Sequence, residues 1–233
     1  MRVVAGRLDD ELRVPVRHLH ALADEAPVRD AIAGAEPEAA GLLSAFTSLM
    51  LRNPAYVQVR WLDAQGRERV RVDYRDGHAR IASPDELQLK ADRPYFAATM
   101  RLPAGAIYQS PFDLNIEHGR IEEPYKPMLR VATPVDDADG VRRGLLIINV
   151  LAQPILDAAE GSLGDGGTRV TLLNADGYSL RSPEPEQDFG FMFGRSERFA
   201  TRHAGIWAQM AKAPAGNESK KDFFTRIYSS KVL

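Results

Sequence analysis

The sequence lacks cysteine altogether, and its 233 residues contain no long apolar run. Without cysteine, a disulfide framework, a thiol nucleophile and a cysteine-ligated zinc site are excluded. No apolar segment approaches the roughly 20 residues that a transmembrane helix needs, and no signal peptide is visible at the start. The chain as given is therefore expected to be soluble, and it could be a piece cut from between two membrane spans.

An excess of charge of one sign is also missing. The 30 Lys and Arg residues nearly balance the 32 Asp and Glu residues, which gives a formal net charge of −2. Since the basic residues are scattered rather than clustered, this balance argues against nucleic-acid binding.

Signatures of catalysis and metal binding are absent from the sequence as well. The glycine-rich segment 161–167 has no phosphate-loop lysine, and the acidic segment 136–140 lacks the EF-hand spacing. No kinase or cyclase motif occurs. His18 and His20 are expected on different faces of their helix, and the other three histidines are isolated. We expect no catalytic residue, no metal and no cofactor in this chain.

The residues that are present indicate a mixed α+β protein. Hydrophobic residues make up 44% of the chain, enough for a packed core. Apolar residues at helical spacing predict a long helix over about 9–33 and a second over 38–51. The apolar run GLLIINV at 144–150 predicts a central, buried strand.

One hairpin pattern occurs twice. A strand over 56–62, the turn Asp63–Gly66 and a strand over 67–74 are matched later by a strand, the turn Asn174–Gly177 and a strand ending at Leu180. Each copy follows a helical segment, which suggests two units of one architecture. The alternative is that such hairpins are simply common in α+β proteins.

The segment 92–134 interleaves aromatic, acidic, amide and basic residues with short β-type runs, a composition typical of a small-molecule pocket. In the first hairpin, strand alternation places Tyr56, Gln58 and Arg60 on one face. That face is either solvated or the wall of a pocket, and its Tyr and Gln favour the pocket.

Antiparallel pairing would bring Arg60 and Arg71 together on this face. Two guanidiniums side by side need an anion, which a bound carboxylate could supply through bidentate hydrogen bonds. An internal ion pair with Asp73 or Asp113 is the alternative.

Further candidates come from the segment 92–134. Tyr95, in DRPYF, is expected to close the mouth of a pocket, whereas Phe96 is expected in the core. Asp113 could receive a ligand ammonium group or could cap its own turn. The candidates that remain are Tyr108 and Ser110 on one strand and Arg130 on another.

These segments, taken in order, resemble a known family. The order is a long N-terminal helix, YVQVRWLDAQGRERVRVDY, KADRPYF, YQSPFDLNIEHGRIEEPYKPMLRVATP, GLLIINV and LLNADGYSL. It resembles the extracytoplasmic double Cache (tandem PAS-like) sensor region of bacterial transmembrane receptors, mostly histidine kinases and diguanylate cyclases.

The resemblance implies a fold in which a long N-terminal helix precedes two PAS-like units, each an antiparallel sheet flanked by helices. It implies a helical stalk over 1–50, a membrane-distal ligand-binding unit over 51–153 and a smaller membrane-proximal unit over 154–233. The implied function is that of a periplasmic sensor in a two-component or cyclase receptor, not an enzyme.

The expected partner is a small polar molecule, a carboxylate or amino acid, and the parent protein would be anchored in the membrane. A homodimer could form through the N-terminal helix. The alternatives are a protein-interaction domain without a small ligand and a soluble enzyme with an unrecognised site.

Overall fold

The computed structural model describes residues 2–34, 39–117, 119–161, 171–212, 215–219 and 222–225. None of its described helices is both long and apolar enough to cross a membrane. The helices are α1 (Arg2–Asp24), α2 (Ala26–Ala33), α3 (Ala39–Arg52), α4 (Pro94–Met100), α5 (Gln153–Gly161), α6 (Phe199–Arg202) and α7 (Ala204–Lys212).

Thirteen strands are assigned within the described residues. Those of the first half are β1 (Tyr56–Asp63), β2 (Glu68–Arg75), β3 (His78–Ile81), β4 (Tyr108–Gln109), β5 (Asp113–Leu114), β6 (Ile116–Glu117) and β7 (Arg120–Ile121). The others are β8 (Pro127–Asp136), β9 (Arg142–Leu151), β10 (Leu172–Leu173), β11 (Ser179–Arg181), β12 (Ala215–Ser219) and β13 (Asp222–Thr225).

The chain forms two compact units. The sheet unit comprises Val14–Ser110 and Leu129–Leu151. The second unit comprises the described residues of Met1–Arg13, Pro111–Met128 and Ala152–Ser229. The predicted division at residues 50 and 153 into stalk, distal and proximal parts concerns position relative to a membrane, and it stays a prediction.

The sheet unit is built around one sheet with the strand order β3-β2-β1-β9-β8-β4. Strand β1 pairs antiparallel with both β2 and β9, and β4 pairs antiparallel with β8. The apolar run of β9 lies between β1 and β8, and Leu145 through Ile148 are fully buried. The predicted central strand is therefore observed, and its nearly continuous apolar run fits a strand that is covered on both faces.

Helices cover the sheet. Helix α3 packs on β1, β2 and β3, and its Leu42, Phe46 and Met50 are fully buried. The expected single helix over 9–33 is divided at Glu25 into α1 and α2. Pro27 lies in the first turn of α2, where proline is favoured, whereas Pro15 is accommodated inside α1. Helix α4 packs on the other side of the sheet, through Tyr95 and Phe96.

The second unit contains a core of Leu114, Leu156, Leu180 and Phe189. Strand β5 pairs with the first residues of β8, so that Asp113 lies opposite Met128. Short two-stranded ladders join β6 to β7, β10 to β11 and β12 to β13. The apolar spacing of residues 197–210 predicts one helix, and the structure shows two, α6 and α7, divided at His203.

The predicted fold class is confirmed, since an N-terminal helix precedes mixed α+β units with antiparallel sheets. Both predicted hairpin turns are present: Gly66 donates its backbone N–H to Asp63, and Gly177 donates to Asn174. The glycine-rich segment 161–167 is expected to be a loop, and the tail 222–233 is expected to be a strand. Gly161 ends α5 and Asp222–Thr225 form β13, while residues 162–167 and 226–233 lie outside the described residues.

Candidate functional site

The α4 face of the sheet, the side on which α4 packs, carries most of the predicted site residues. Directly paired residues of antiparallel strands point to the same side. Arg60 pairs with Arg71, as the sequence predicts, and Gln58 pairs with both Asp73 and Asn149. Polar side chains of β1, β2 and β9 therefore lie together under α4.

A bulge in β1 removes Tyr56 from this face. Tyr56 pairs with Val150 and Gln58 pairs with Asn149, so Val57 is an extra residue in β1. Because Val150 and Asn149 are adjacent in β9, they point to opposite faces. The prediction that Tyr56 shares a face with Gln58 and Arg60 is therefore wrong.

Tyr56 is directed toward helix α1 instead. Its hydroxyl lies 2.7 Å from Nδ1 of His18, and the two rings meet edge to face with centroids 5.8 Å apart. Burial, together with the Arg17 and Arg52 charges, lowers the pKa of His18, while burial raises the pKa of Tyr56. A neutral imidazole nitrogen can accept a hydrogen bond from the tyrosine hydroxyl.

A second bulge directs Glu68 into the α4 face. Trp61 pairs with Val70, but Leu62 pairs with Glu68, so Arg69 is an extra residue in β2. Arg69 is exposed, whereas the Glu68 side chain has an exposure of 0%. Without this bulge, the alternation of β2 would place Glu68 on the opposite side of the sheet.

Arg60 is a buried cation with several partners. Its Nη1 donates to Glu68 at 3.0 Å and to the hydroxyl of Tyr95 at 3.4 Å, and its Nη2 donates to Asn149 at 2.9 Å. Its guanidinium carbon also lies 5.7 Å from the centroid of the Tyr95 ring. Its Nε is buried without a hydrogen-bond partner in the structure.

Arg71 is held by acids of its own strand. Its Nη1 donates to Glu68 at 3.1 Å and its Nε donates to Asp73 at 3.2 Å. Asp73 also accepts from Gln58 at 2.8 Å and from Arg80 at 3.2 Å. The internal ion pair with Asp73, which the sequence left open, is thus present.

The charges of this cluster balance. Arg60, Arg71, Glu68 and Asp73 are the buried charged residues of the described chain, and they carry two positive and two negative charges. Burial acts to lower the pKa of Arg60, but the Tyr95 hydroxyl and the Glu68 carboxylate outweigh it, so the pKa is raised. The guanidinium therefore stays charged.

The segment between β3 and α4 is attached to the same cluster. Gln88 donates its backbone N–H to Glu68 at 3.0 Å, and the carbonyl of Glu86 accepts from Arg71 at 3.0 Å. The Arg80 guanidinium and the groups of Ser83 lower the pKa of Glu86 to about 2. These bonds fix the segment that leads into α4.

The remaining candidates are Tyr108 of β4, Ser110 directly after it, Arg130 of β8 and Asp113 of β5. Tyr108 packs against the apolar cluster beside Tyr95, and Ala132 of the same cluster pairs with Tyr108. Strand alternation then places Arg130, half-buried, on the α4 face. Ser110, which is buried, accepts the backbone N–H of Arg130 at 2.9 Å. Asp113 belongs to the second unit and lies in β5.

Sequence reasoning missed two residues of the cluster, Glu68 and Asn149. In the sequence, Glu68 stands between Arg67 and Arg69 and has the pattern of an exposed strand position. Asn149 stands inside the apolar run of β9, and that exception to an otherwise apolar strand was a usable signal. A buried polar side chain in a central strand needs partners, and Arg60 and Gln58 supply them.

Comparison with known proteins agrees with this architecture. The family model of the bacterial histidine kinase sensor domain matches residues 19–231. No curated protein matches the chain.

Three solved structures illustrate the similarity. A domain of a sensory box/GGDEF family protein from Vibrio parahaemolyticus is 22% identical, with a TM-score of 0.79, over 93% of this chain and 82% of that one. The extracellular domain of the histidine kinase vpHK1S-Z8 is 24% identical, with a TM-score of 0.79, over 93% and 78%. The ligand-binding domain of the amino-acid chemoreceptor PctC of Pseudomonas aeruginosa, in complex with GABA, is 14% identical, with a TM-score of 0.57, over 87% and 78%.

The fold is that of a PAS/Cache-like sensor domain. The chain belongs to the bacterial histidine kinase sensor-domain family, and is thus an extracytoplasmic domain of a membrane receptor in signal transduction.

Proposed function

We propose that this sensor domain binds a small polar molecule, a carboxylate or an amino-acid-like compound, on the α4 face of its sheet. One observation carries the proposal: polar side chains from six different elements converge on that face. They are Gln58 and Arg60 of β1, Arg71 of β2, Tyr95 of α4, Tyr108 of β4, Arg130 of β8 and Asn149 of β9.

The chemistry of the face supports a ligand with both donors and acceptors. Tyr95 and Tyr108 provide flat apolar area with a hydroxyl, and Gln58 provides an amide. Arg130 provides a guanidinium suited to a carboxylate. An amino-acid-like compound is also the kind of ligand bound by the structural neighbour PctC, which was solved with GABA.

We assign the direct contacts to Gln58, Tyr95, Tyr108, Ser110 and Arg130. Arg60 and Arg71 already pair with Glu68 and Asp73, so they lie behind these contacts. A role of Asp113 and Tyr56 in ligand binding stays a prediction that the contacts on the α4 face do not support.

A melting-temperature screen of the purified domain tests the proposal. The compounds are amino acids, amines, monocarboxylates and dicarboxylates, and positives are followed by calorimetry. Since a hydrogen bond to a charged group contributes about 1.5–3 kcal/mol, Arg130→Gln should weaken the binding of the positive compound by about 10-fold or more. Arg143→Gln, at an exposed arginine near the beginning of β9 that pairs with Asp137, is the matched control and should leave the affinity unchanged.

A screen without any stabilising compound would favour the alternative, a domain whose signal comes from a protein partner. Product formation from any compound would contradict the expectation that the chain is not an enzyme and needs no cofactor. An affinity unaffected by Arg130→Gln would place the ligand elsewhere.

A homodimer through α1 also stays a proposal. The leucines at 8, 12, 19 and 22 of α1 are buried within the chain itself. The exposed positions of the helix, such as Asp10, Arg13 and Arg17, are polar. A dimer through α1 would therefore use polar contacts, and sedimentation at rising salt concentration would detect its weakening.

A further inference from the structure

Arg60 and Arg71, adjacent across β1 and β2, share one carboxylate. Oε1 of Glu68 accepts from Arg60 at 3.0 Å, and Oε2 accepts from Arg71 at 3.1 Å. The Glu68 side chain is completely withdrawn from solvent, with an exposure of 0%. The carboxylate group therefore lies where an anion bound by two guanidiniums would lie.

The backbone places this carboxylate independently of any ligand. The bulge at Arg69 turns Glu68 toward the α4 face, and the backbone N–H of Gln88 donates to Oε2 at 3.0 Å. Three donors from two strands and a loop thus hold Glu68. The position of its carboxylate is therefore determined by the fold and not by the binding of a ligand.

The charge balance opposes a second anion at this point. Two buried guanidiniums already meet two buried carboxylates, Glu68 and Asp73. A ligand carboxylate entering between Arg60 and Arg71 would have to expel Glu68, and a buried charge separated from its partner is strongly unfavourable.

We propose that Glu68 is a specificity-determining residue, whose carboxylate fills the anion position between Arg60 and Arg71 and excludes a ligand carboxylate from it. The inference deepens the proposed function and rests on it for its meaning. It directs the anionic part of any ligand away from Arg60 and Arg71.

The test removes the built-in carboxylate and supplies a free one. Glu68→Ala leaves a space between two guanidiniums that acetate fits, because acetate reproduces the lost carboxylate and one carbon. The melting temperature of the variant is measured in sodium acetate and in sodium chloride of equal ionic strength. The wild type and Asp9→Ala, which frees the exposed Arg13, are measured in parallel.

The expected result is a saturable rise in melting temperature for Glu68→Ala in acetate alone, of about 3–5 °C at about ten times the dissociation constant. The wild type and Asp9→Ala should respond equally to acetate and chloride. Equal responses of Glu68→Ala to the two salts, or an acetate response of the wild type as large as that of the variant, would overturn the inference.

If Glu68→Ala does not fold in chloride, the same comparison is made by refolding from urea. Recovery of folded protein in acetate alone supports the inference, and equal failure in both salts contradicts it.

The two hypotheses fail separately in these experiments. If the wild type binds no small molecule but Glu68→Ala responds to acetate, the proposed ligand binding is contradicted and the proposed role of Glu68 is supported. If the wild type binds an amino acid but Glu68→Ala does not respond to acetate, the proposed ligand binding is supported and the proposed role of Glu68 is contradicted.

Discussion

Arg60 has a structural role and lies next to the proposed ligand-binding face. Its side chain has an exposure of 4% and lies between Glu68, Asn149 and Tyr95. A buried cation is tolerated here because it forms an ion pair and hydrogen bonds with these neighbouring side chains. Removing the cation would leave Glu68 with only Arg71 and a backbone donor.

We expect Arg60→Met to lower the free energy of unfolding by about 3 kcal/mol, because it leaves part of a buried charge uncompensated. Arg13→Met, which breaks an exposed pair with Asp9, should cost about 1 kcal/mol or less. Urea unfolding measures both. Adding Glu68→Met to Arg60→Met should restore part of the loss, and a fully additive double variant would contradict the coupling.

His18 gives a second expectation at the residue scale, for pH. Its pKa is lowered in the folded state, chiefly by burial. As pH falls below the ordinary value of 6.5, the unfolded chain binds a proton before the folded one does. The free energy of unfolding should therefore decrease from about pH 6.5 down to the lowered pKa of His18.

Urea titrations between pH 7 and 5 would measure this slope. His18→Gln should remove the part of the slope due to His18. Tyr56→Phe should keep it, because burial rather than the hydrogen bond is the main cause. A slope unchanged in His18→Gln would show that other groups are responsible.

At the scale of elements, the two bulges of the first hairpin decide which side chains meet. They lie at Val57 and Arg69, and they turn Tyr56 away from the α4 face and Glu68 toward it. The pairing of Arg60 with Arg71 was predictable, because hairpin turn and alternation suffice for it. The bulges were not, because they depend on the neighbouring strand β9 and on the packing of each face.

Gly144, at the beginning of β9, tests how tightly that strand approaches β1. It has φ +129°, and a Cβ there would lie 1.9 Å from the carbonyl oxygen of Leu62. Gly144→Ala should therefore cost about 3 kcal/mol or more. Gly140→Ala, with φ +77° and open space around it, should cost only about 1 kcal/mol. Similar costs for the two variants in urea unfolding would contradict the close approach.

At the scale of the whole molecule, the path of the chain differs from a simple succession of units. Pro111–Met128 belongs to the second unit, although Leu129–Leu151 returns to the sheet unit. Leu114, in this excursion, has an exposure of 1% and packs with Leu156, Leu180 and Phe189.

A fragment of residues 14–153 tests this organisation. It would lack the residues that cover Leu114, Phe112 and Ile121. We expect the fragment to expose an apolar surface, to bind a hydrophobic dye and to associate, as gel filtration would show. A monomeric fragment that binds no dye would instead support an independent domain that ends at residue 153.

The sequence alone determined the class of fold and the family, because helical spacing, hairpin turns and the apolar run of β9 are local patterns that need no knowledge of the remaining chain. It also indicated which sheet face would be polar. Only the tertiary structure decided how those polar groups are used. Bulges, and the entry of Asn149 and Gln88 from distant segments, are long-range effects, and through them Glu68 became the counter-ion of both arginines.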